Sequence, residues 1–345
     1  VTGLTIVDLS LTDEQRQLVD SFTALLARES TSERVRAAEP SGFDLKLWKA
    51  LQDVGTVEMA VAETFGGWGA SELELALVAE QFGRVTASAP VIEAQVAVRL
   101  LAESGVAGAE LLKAVLAGDQ LVTFAPRAGC GRRLELVPAG AVADHVIALA
   151  ERRLLAVPIG ANRTSVANLA SLPLADIEIG NDSIVLADGV RADALFSGAV
   201  DLWLVLIAAA LSGAACKAVE LGVDYAKQRR AFGAPIGSFQ AVSHPLADSA
   251  TAVDGARLLG LKAACAYVDE PERVRELAAM AFTFAYETAR DATRRSLHIH
   301  GGYGFGMEGD IQLYYRRVRG WAMVFGEPAA ALDRVADARY GPVNW

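Results

Sequence analysis

The sequence predicts a mainly α-helical protein with a small central β domain, and three observations carry that reading. Capping-box patterns open apolar-periodic runs in the first third, at Thr12-Asp-Glu-Gln15 and Ser71-Glu-Leu-Glu74. From about Gln120 the texture changes to short β-type runs separated by polar or glycine-bearing turns. After about Val200 the runs become long and helical again, over roughly 201–229, 239–268 and 271–300. The expected segments are therefore an N-terminal helical domain (1–119), a reduced β domain (120–198) and a C-terminal helical bundle (199–345).

In the first segment Leu18, Phe22, Leu25 and Leu26 fall on one helix face after the Thr12 cap. Asp44 is placed to cap a short helix carrying Leu47, Trp48 and Leu51, which Gly55 stops. Phe65-Gly-Gly-Trp-Gly-Ala is a turn, because no helix tolerates three glycines in five positions well. In the β segment, Leu121-Val-Thr-Phe, His145-Val-Ile-Ala-Leu and Arg153-Leu-Leu-Ala-Val read as strands. Ile177 and Ile179, then Ile184 and Leu186, flank Gly180-Asn-Asp, which reads as a hairpin.

Composition excludes several classes. With 52 % apolar and 21 % charged residues the 345-residue chain builds ample core, against disorder. A net charge of −10 argues against a nucleic-acid partner, which needs a basic footprint. Lys227-Gln-Arg-Arg and Arg316-Arg-Val-Arg are local basic clusters that suit at most a small phosphate ligand. Cys130, Cys216 and Cys265 lie far apart without metal spacing, as in a reduced cytosolic protein. The first eight residues lack a basic segment followed by an apolar run, so no signal peptide is expected and the location expected is cytoplasmic. The most apolar stretch, Leu202 to Cys216, falls short of the roughly 20 residues a membrane span needs. It reads instead as a helix buried in protein, without membrane insertion.

Two stretches bear on chemistry. His298-Ile-His-Gly-Gly-Tyr-Gly-Phe-Gly306 follows a long helix, the wrong context for a dinucleotide fingerprint, which follows a strand. It reads as a helix stop with a turn that a ligand or second chain can approach closely. His298 and His300, two residues apart, point to different sides and do not suit one metal. In Tyr225-Ala-Lys-Gln-Arg-Arg-Ala-Phe-Gly a helix ends in paired arginines before a turn, and a new helix enters at Phe239-Gln240. Such arginines are ordinary complements of the helix dipole; beside an aromatic they also suit a pyrophosphate and a ring system.

The arginine–x–x–Phe–Gly stretch at Arg229–Gly233 resembles a segment of the acyl-CoA dehydrogenases. Gly301-Gly-Tyr-Gly-Phe followed by Asp310 to Arg316 resembles the second signature of that family, and Leu47-Trp-Lys-Ala-Leu through Glu63-Thr-Phe-Gly-Gly-Trp-Gly its N-terminal domain. The resemblance implies FAD, a tetramer, and α,β-desaturation of an acyl-CoA, in which a glutamate takes the α-proton as hydride passes to the flavin. It also implies that each flavin lies between two subunits. One supplies the base and the β segment; its neighbour supplies the arginine, the phenylalanine and the Gly–Gly loop.

This chain departs from the pattern mainly on one side. Phe325, before Gly326, stands where most members carry the base; the alternative base position falls near Trp203, and a CoA-binding arginine near Leu204. None of these can accept a proton or pair with phosphate. Thr123-Phe-Ala-Pro-Arg-Ala-Gly-Cys-Gly lacks the family's Gly–Ser, and no tryptophan occurs between Trp68 and Trp203. Glu327 is a substitute base in principle, but Gly-Glu-Pro before Ala-Ala-Ala-Leu suits the start of a helix. The neighbour's set remains as Arg229, Phe232, Gln240, Gly301 and Gly302, with His298 where a glutamine is usual.

The expectation is thus a base-less subunit in a heterotetramer with a catalytic paralogue, similar to heteromeric steroid side-chain acyl-CoA dehydrogenases, with FAD shared across the interface and an acyl-CoA as substrate of the complex. Two alternatives stay open: an active homotetramer using Glu327 or another base, and a non-enzymatic assembly or acyl-binding protein on the same fold.

Overall fold

A computed structural model describes residues 9–341. The first eight residues, on which the signal-peptide expectation rests, lie outside the described residues. Six helices come first: α1 (Asp13–Glu29), α2 (Ser32–Ala38), α3 (Leu45–Asp53), α4 (Glu72–Arg84), α5 (Val91–Glu103) and α6 (Val106–Leu116). Their starts are chemically local. Thr12 and Ser71 form full capping boxes with Gln15 and Glu74, and Asp44 accepts from the Lys46 and Leu47 N–H groups. Phe22, Leu26, Leu47, Trp48 and Leu51 are all buried, and the chain leaves α3 through Gly55 at φ +66°.

Seven strands follow: β1 (Val122–Phe124), β2 (Arg133–Val137), β3 (His145–Ala150), β4 (Arg153–Pro158), β5 (Arg163–Ser165), β6 (Ala175–Glu178) and β7 (Ile184–Asp188). They form two sheets, ordered β1-β3-β4-β7 and β2-β6-β5. The expected hairpin across Gly180-Asn-Asp is not formed. β6 pairs with β2 and β5, whereas β7 pairs with β4, so this turn carries the chain from one sheet to the other. A hairpin does join β3 to β4, where Glu151 and Arg152 both adopt positive φ without a glycine. Residue types marked the first turn, but strand pairing is set by which faces are buried: β4 is apolar over Leu154–Val157 and needs a partner on each edge.

The C-terminal third contains α7 (Gly189–Gln228), the short ribbon β8 (Arg230–Ala231) and β9 (Ala234–Pro235), and α8 (Gln240–Asp269). It continues with α9 (Val274–His300), α10 (Gly302–Phe305), α11 (Ile311–Met323) and α12 (Ala330–Tyr340). α7 begins some three turns before the expected start, as a helix that includes Gly189 and Gly198 and is docked by Ala192, Ala199 and Val200. It is the one helix among the described residues apolar and long enough to cross a membrane, yet 72 % of its most apolar window is buried inside the fold. It packs against α4, α8 and α9. The α4–α7 crossing is unusually close: a Cβ at Gly83 would lie 1.8 Å from the Ala210 carbonyl oxygen, and one at Gly213 2.0 Å from that of Glu80.

Candidate functional site

Two regions of opposite character lie along α7. At its C-terminal end, Arg229 is the cap residue and is exposed. The chain then turns through Phe232 (φ +53°) and Gly233 (φ +80°), a two-residue loop between the paired Ala231 and Ala234. Positive φ at both positions is the primed turn that fits the strand twist, and a phenylalanine there costs about 1–3 kcal/mol. The Phe232 ring is 96 % exposed and meets only the edge of Phe239, at 6.2 Å between centroids. A strained backbone that presents a ring to solvent is not explained by the folding of this chain.

The glycine stretch arrives at the same end. His300 is the packed histidine: it is buried, its Nδ1 lies 2.8 Å from the Ser296 carbonyl oxygen, and its ring stacks on Tyr225 at 4.4 Å. Tyr303 stacks parallel to Tyr225 at 6.4 Å. These contacts bring together two motifs some 70 residues apart in the chain. His298 is exposed, and no cluster of three metal-ligating side chains occurs among the described residues. Gly301 (φ +60°) and Gly302 are open: a Cβ at either would meet nothing within 4 Å. Gln240, first residue of α8, is exposed as well. Arg229, Phe232, Gln240, His298, Gly301 and Gly302 therefore all lie on exposed surface at the end of α7 that the Tyr225 stack organises.

Midway along α7 the chain is closed. Trp203 and Phe282 are fully buried; Trp203 stacks on Phe325 at 5.9 Å and meets Phe282 at 6.1 Å, and Phe325 meets the Phe282 edge at 5.8 Å. The two positions at which a base was sought are thus in mutual contact, and each pair contributes about 0.5–1.5 kcal/mol beyond area burial. Leu204 is also fully buried. Glu327 is exposed, in the turn between α11 and α12. It does not sit in the first turn of α12, which begins at Ala330; its backbone carbonyl, not its carboxylate, accepts the Ala330 N–H at 2.8 Å. In the β region the buried Thr123 hydroxyl donates to the Pro138 carbonyl at 2.6 Å, so it is engaged within the chain.

One carboxyl in this core escaped the sequence reading. Glu93, half-buried on α5, accepts the Trp203 Nε1–H at 3.2 Å. No motif flags it, because its surroundings are assembled from α5, α7 and the segment after α11. Burial pushes its carboxyl above the ordinary range, and the Trp203 hydrogen bond only partly opposes this. A raised folded-state value favours folding fully below the ordinary carboxylate range and loses that contribution as pH rises through it. Glu93→Gln keeps an acceptor for Trp203 and removes the titration. Urea unfolding across a pH series is therefore expected to show the variant gaining on the wild type as pH rises from mildly acidic to neutral; a constant difference would contradict this.

The fold and these two regions define a helical–β–helical protein with an exposed cationic and aromatic corner and a closed aromatic core. Comparison with known proteins places it further. The acyl-CoA dehydrogenase N-terminal domain matches residues 12–114 and the acyl-CoA dehydrogenase C-terminal domain residues 204–339. The acyl-CoA dehydrogenase IpdE2 of Mycolicibacterium smegmatis is 31 % identical over 330 residues, covering 94 % of this chain and 98 % of that protein. The chain belongs to the acyl-CoA dehydrogenase family. Its backbone matches a crystal structure of the ChsE4-ChsE5 complex from Mycobacterium tuberculosis with a TM-score of 0.87 at 24 % identity, covering 98 % of this chain and all of that one. A variant of the Tcur3481-Tcur3483 steroid acyl-CoA dehydrogenase matches with 0.84 at 25 % identity, covering 94 % and 97 %.

Proposed function

We propose that this chain is the base-less subunit of a heteromeric FAD-dependent acyl-CoA dehydrogenase and lends half of the flavin site to a catalytic paralogue. The observation that carries the reading is the contrast along α7. The base positions are filled by Phe325 and Trp203 in a packed aromatic core, while the residues assigned in this reading to a neighbour's flavin stand exposed. Drift of an unused fold would erode both regions alike.

The exposed corner fits a dinucleotide. Arg229 makes no ion pair among the described residues, and Lys227, Arg230 and Arg294 are exposed beside it in the chain or across the Tyr225 stack, on a protein whose net charge is −10. In this reading Arg229 donates to the pyrophosphate, Phe232 packs near the ring system, Gln240 and His298 supply polar contacts, and Gly301-Gly302 admit the adenosine. FAD, when bound, accepts the hydride removed from the β-carbon of the thioester. The α-proton is taken by a carboxylate of the partner, because Phe325 has no lone pair to offer. Two matching structures, the ChsE4-ChsE5 complex and the Tcur3481-Tcur3483 steroid enzyme, pair differently designated chains. That supports a paralogue as partner and a bulky acyl-CoA, of steroid side-chain type, as substrate.

The test is flavin counting. The chain expressed alone is expected to bind little FAD; co-expressed with the paralogue, the complex is expected to hold one flavin per pair of unlike chains and to oxidise acyl-CoA. A homotetramer with a flavin in every subunit would overturn the reading. Glu327→Gln is expected to leave dehydrogenase activity of the complex unchanged, since Glu327 is exposed in the turn between α11 and α12. A large fall in kcat at unchanged flavin content would restore it as a base.

A further inference from the structure

Arg317, on α11, is a buried cation without a carboxylate. It is 4 % exposed, and no carboxylate lies within 4 Å of it among the described residues. Its side chain reaches the Ala87 carbonyl oxygen at 3.4 Å and the Ser88 hydroxyl at 3.3 Å, both longer than ordinary N–H···O bonds. Its guanidinium also lies 5.9 Å from the Trp321 ring centroid, at the far limit of a cation–π contact. Glu39, the acidic group nearest in the electrostatic sense, is bound by Arg316 instead. Burial pulls Arg317 down to about 10, so it stays charged at neutral pH. An unpaired buried charge is costly, several kcal/mol in typical cases, unless an anion answers it.

The geometry offers a place for one. Arg317 lines a cleft together with Glu93, Ala87, Pro138, Leu174 and Trp321. The space open to the centres of water-sized spheres is about 40 Å³. At roughly 10–15 Å³ for each water-sized group, that holds about three such groups. A carboxylate has three heavy atoms and matches the planar fork of a guanidinium, whereas a tetrahedral phosphate is bulkier. At the lower figure a fourth heavy atom fits, so the tail is at most a methyl group, against a mainly apolar wall. We propose that this cleft binds a small aliphatic carboxylate, held by the Arg317 fork with its tail against Pro138 and Leu174. Glu93 also lines the cleft, and burial pushes its carboxyl up, toward the neutral form that can donate to a bound carboxylate. The proposal is independent of the flavin half-site, which lies at the C-terminal end of α7, and flavin content does not report on it.

The test uses the purified full chain, titrated at neutral pH with sodium acetate and, at matched ionic strength, with sodium chloride and sodium phosphate. The readouts are the thermal unfolding midpoint and the line width of labelled acetate. Acetate is expected to raise the midpoint saturably above the chloride reference, and phosphate to behave as chloride does. Arg317→Met is expected to abolish the acetate effect. Should that variant fail to fold, Arg317→Lys keeps the charge without the fork and is expected to bind acetate at least about tenfold more weakly, the loss of one charge-assisted hydrogen bond. Acetate indistinguishable from chloride, phosphate acting as strongly as acetate, or an undiminished acetate effect in the foldable variant would each overturn the proposal.

Discussion

Replacing Arg229 by alanine is expected to leave the isolated chain as stable as the wild type while stripping flavin from the complex with its paralogue. The two halves of this expectation have different origins. Arg229 is exposed and makes no intrachain ion pair among the described residues, so its truncation removes no native contact of consequence. A hydrogen bond to a charged group is worth about 1.5–3 kcal/mol, so losing one on the pyrophosphate weakens flavin retention by roughly 10- to 150-fold. Phe232→Ala is expected to act in the same direction on flavin and to change the stability of the isolated chain little, because the ring is exposed and alanine keeps the positive-φ strain. Flavin absorbance after gel filtration, set beside urea midpoints of the isolated chain, checks both halves. Full flavin retention in the doubly substituted complex would remove Arg229 and Phe232 from the site.

The second large effect is on the fold. Gly213→Ala is expected to cost about 3 kcal/mol, at the upper end of overpacking substitutions. The added methyl would meet the Glu80 carbonyl oxygen at 2.0 Å, which is backbone and cannot swing away as a side chain does. Gly83→Ala clashes with Ala210 at the same crossing and is expected to cost as much. Because either substitution already forces α4 and α7 apart, the double variant is expected to cost clearly less than the sum. Gly260→Ala is the control: its Cβ would meet nothing within 4 Å, and reduced unfolded-state entropy is expected to stabilise the isolated chain by up to about 1 kcal/mol. Denaturant midpoints decide the set, and a neutral Gly213→Ala would mean that the helices pack less closely.

Much of this architecture was legible because its determinants are local. A capping box is settled by residues three apart, and Thr12, Ser71 and Asp44 cap where their neighbours said they would. The ends of α8 and α9 follow the apolar periodicity to within a few residues. The absence of a carboxylate at Phe325 and Trp203 was legible too, since phenylalanine and tryptophan cannot take a proton in any fold. The readings that missed involve distance. Gly180-Asn-Asp has the composition of a hairpin turn, but its strands pair elsewhere, because pairing follows which apolar faces must be covered. α7 starts at Gly189 and not near 201, because packing of Ala192, Ala199 and Val200 outweighs the low helix propensity of Gly189 and Gly198.

By itself the sequence determined the order of helical and β segments, the identity of the capping residues and the absence of a carboxylate at Phe325 and Trp203. Each is a property of one residue or of neighbours within a turn. Only the tertiary structure decided that Phe325, Trp203 and Phe282 meet, that Tyr225 ties the arginine turn to the glycine loop, and that Arg317 and Glu93 face one cleft. Those outcomes depend on burial and on contacts between residues distant in the chain. Burial is also what pushes Glu93 up and pulls Arg317 down, and no local spacing encodes it.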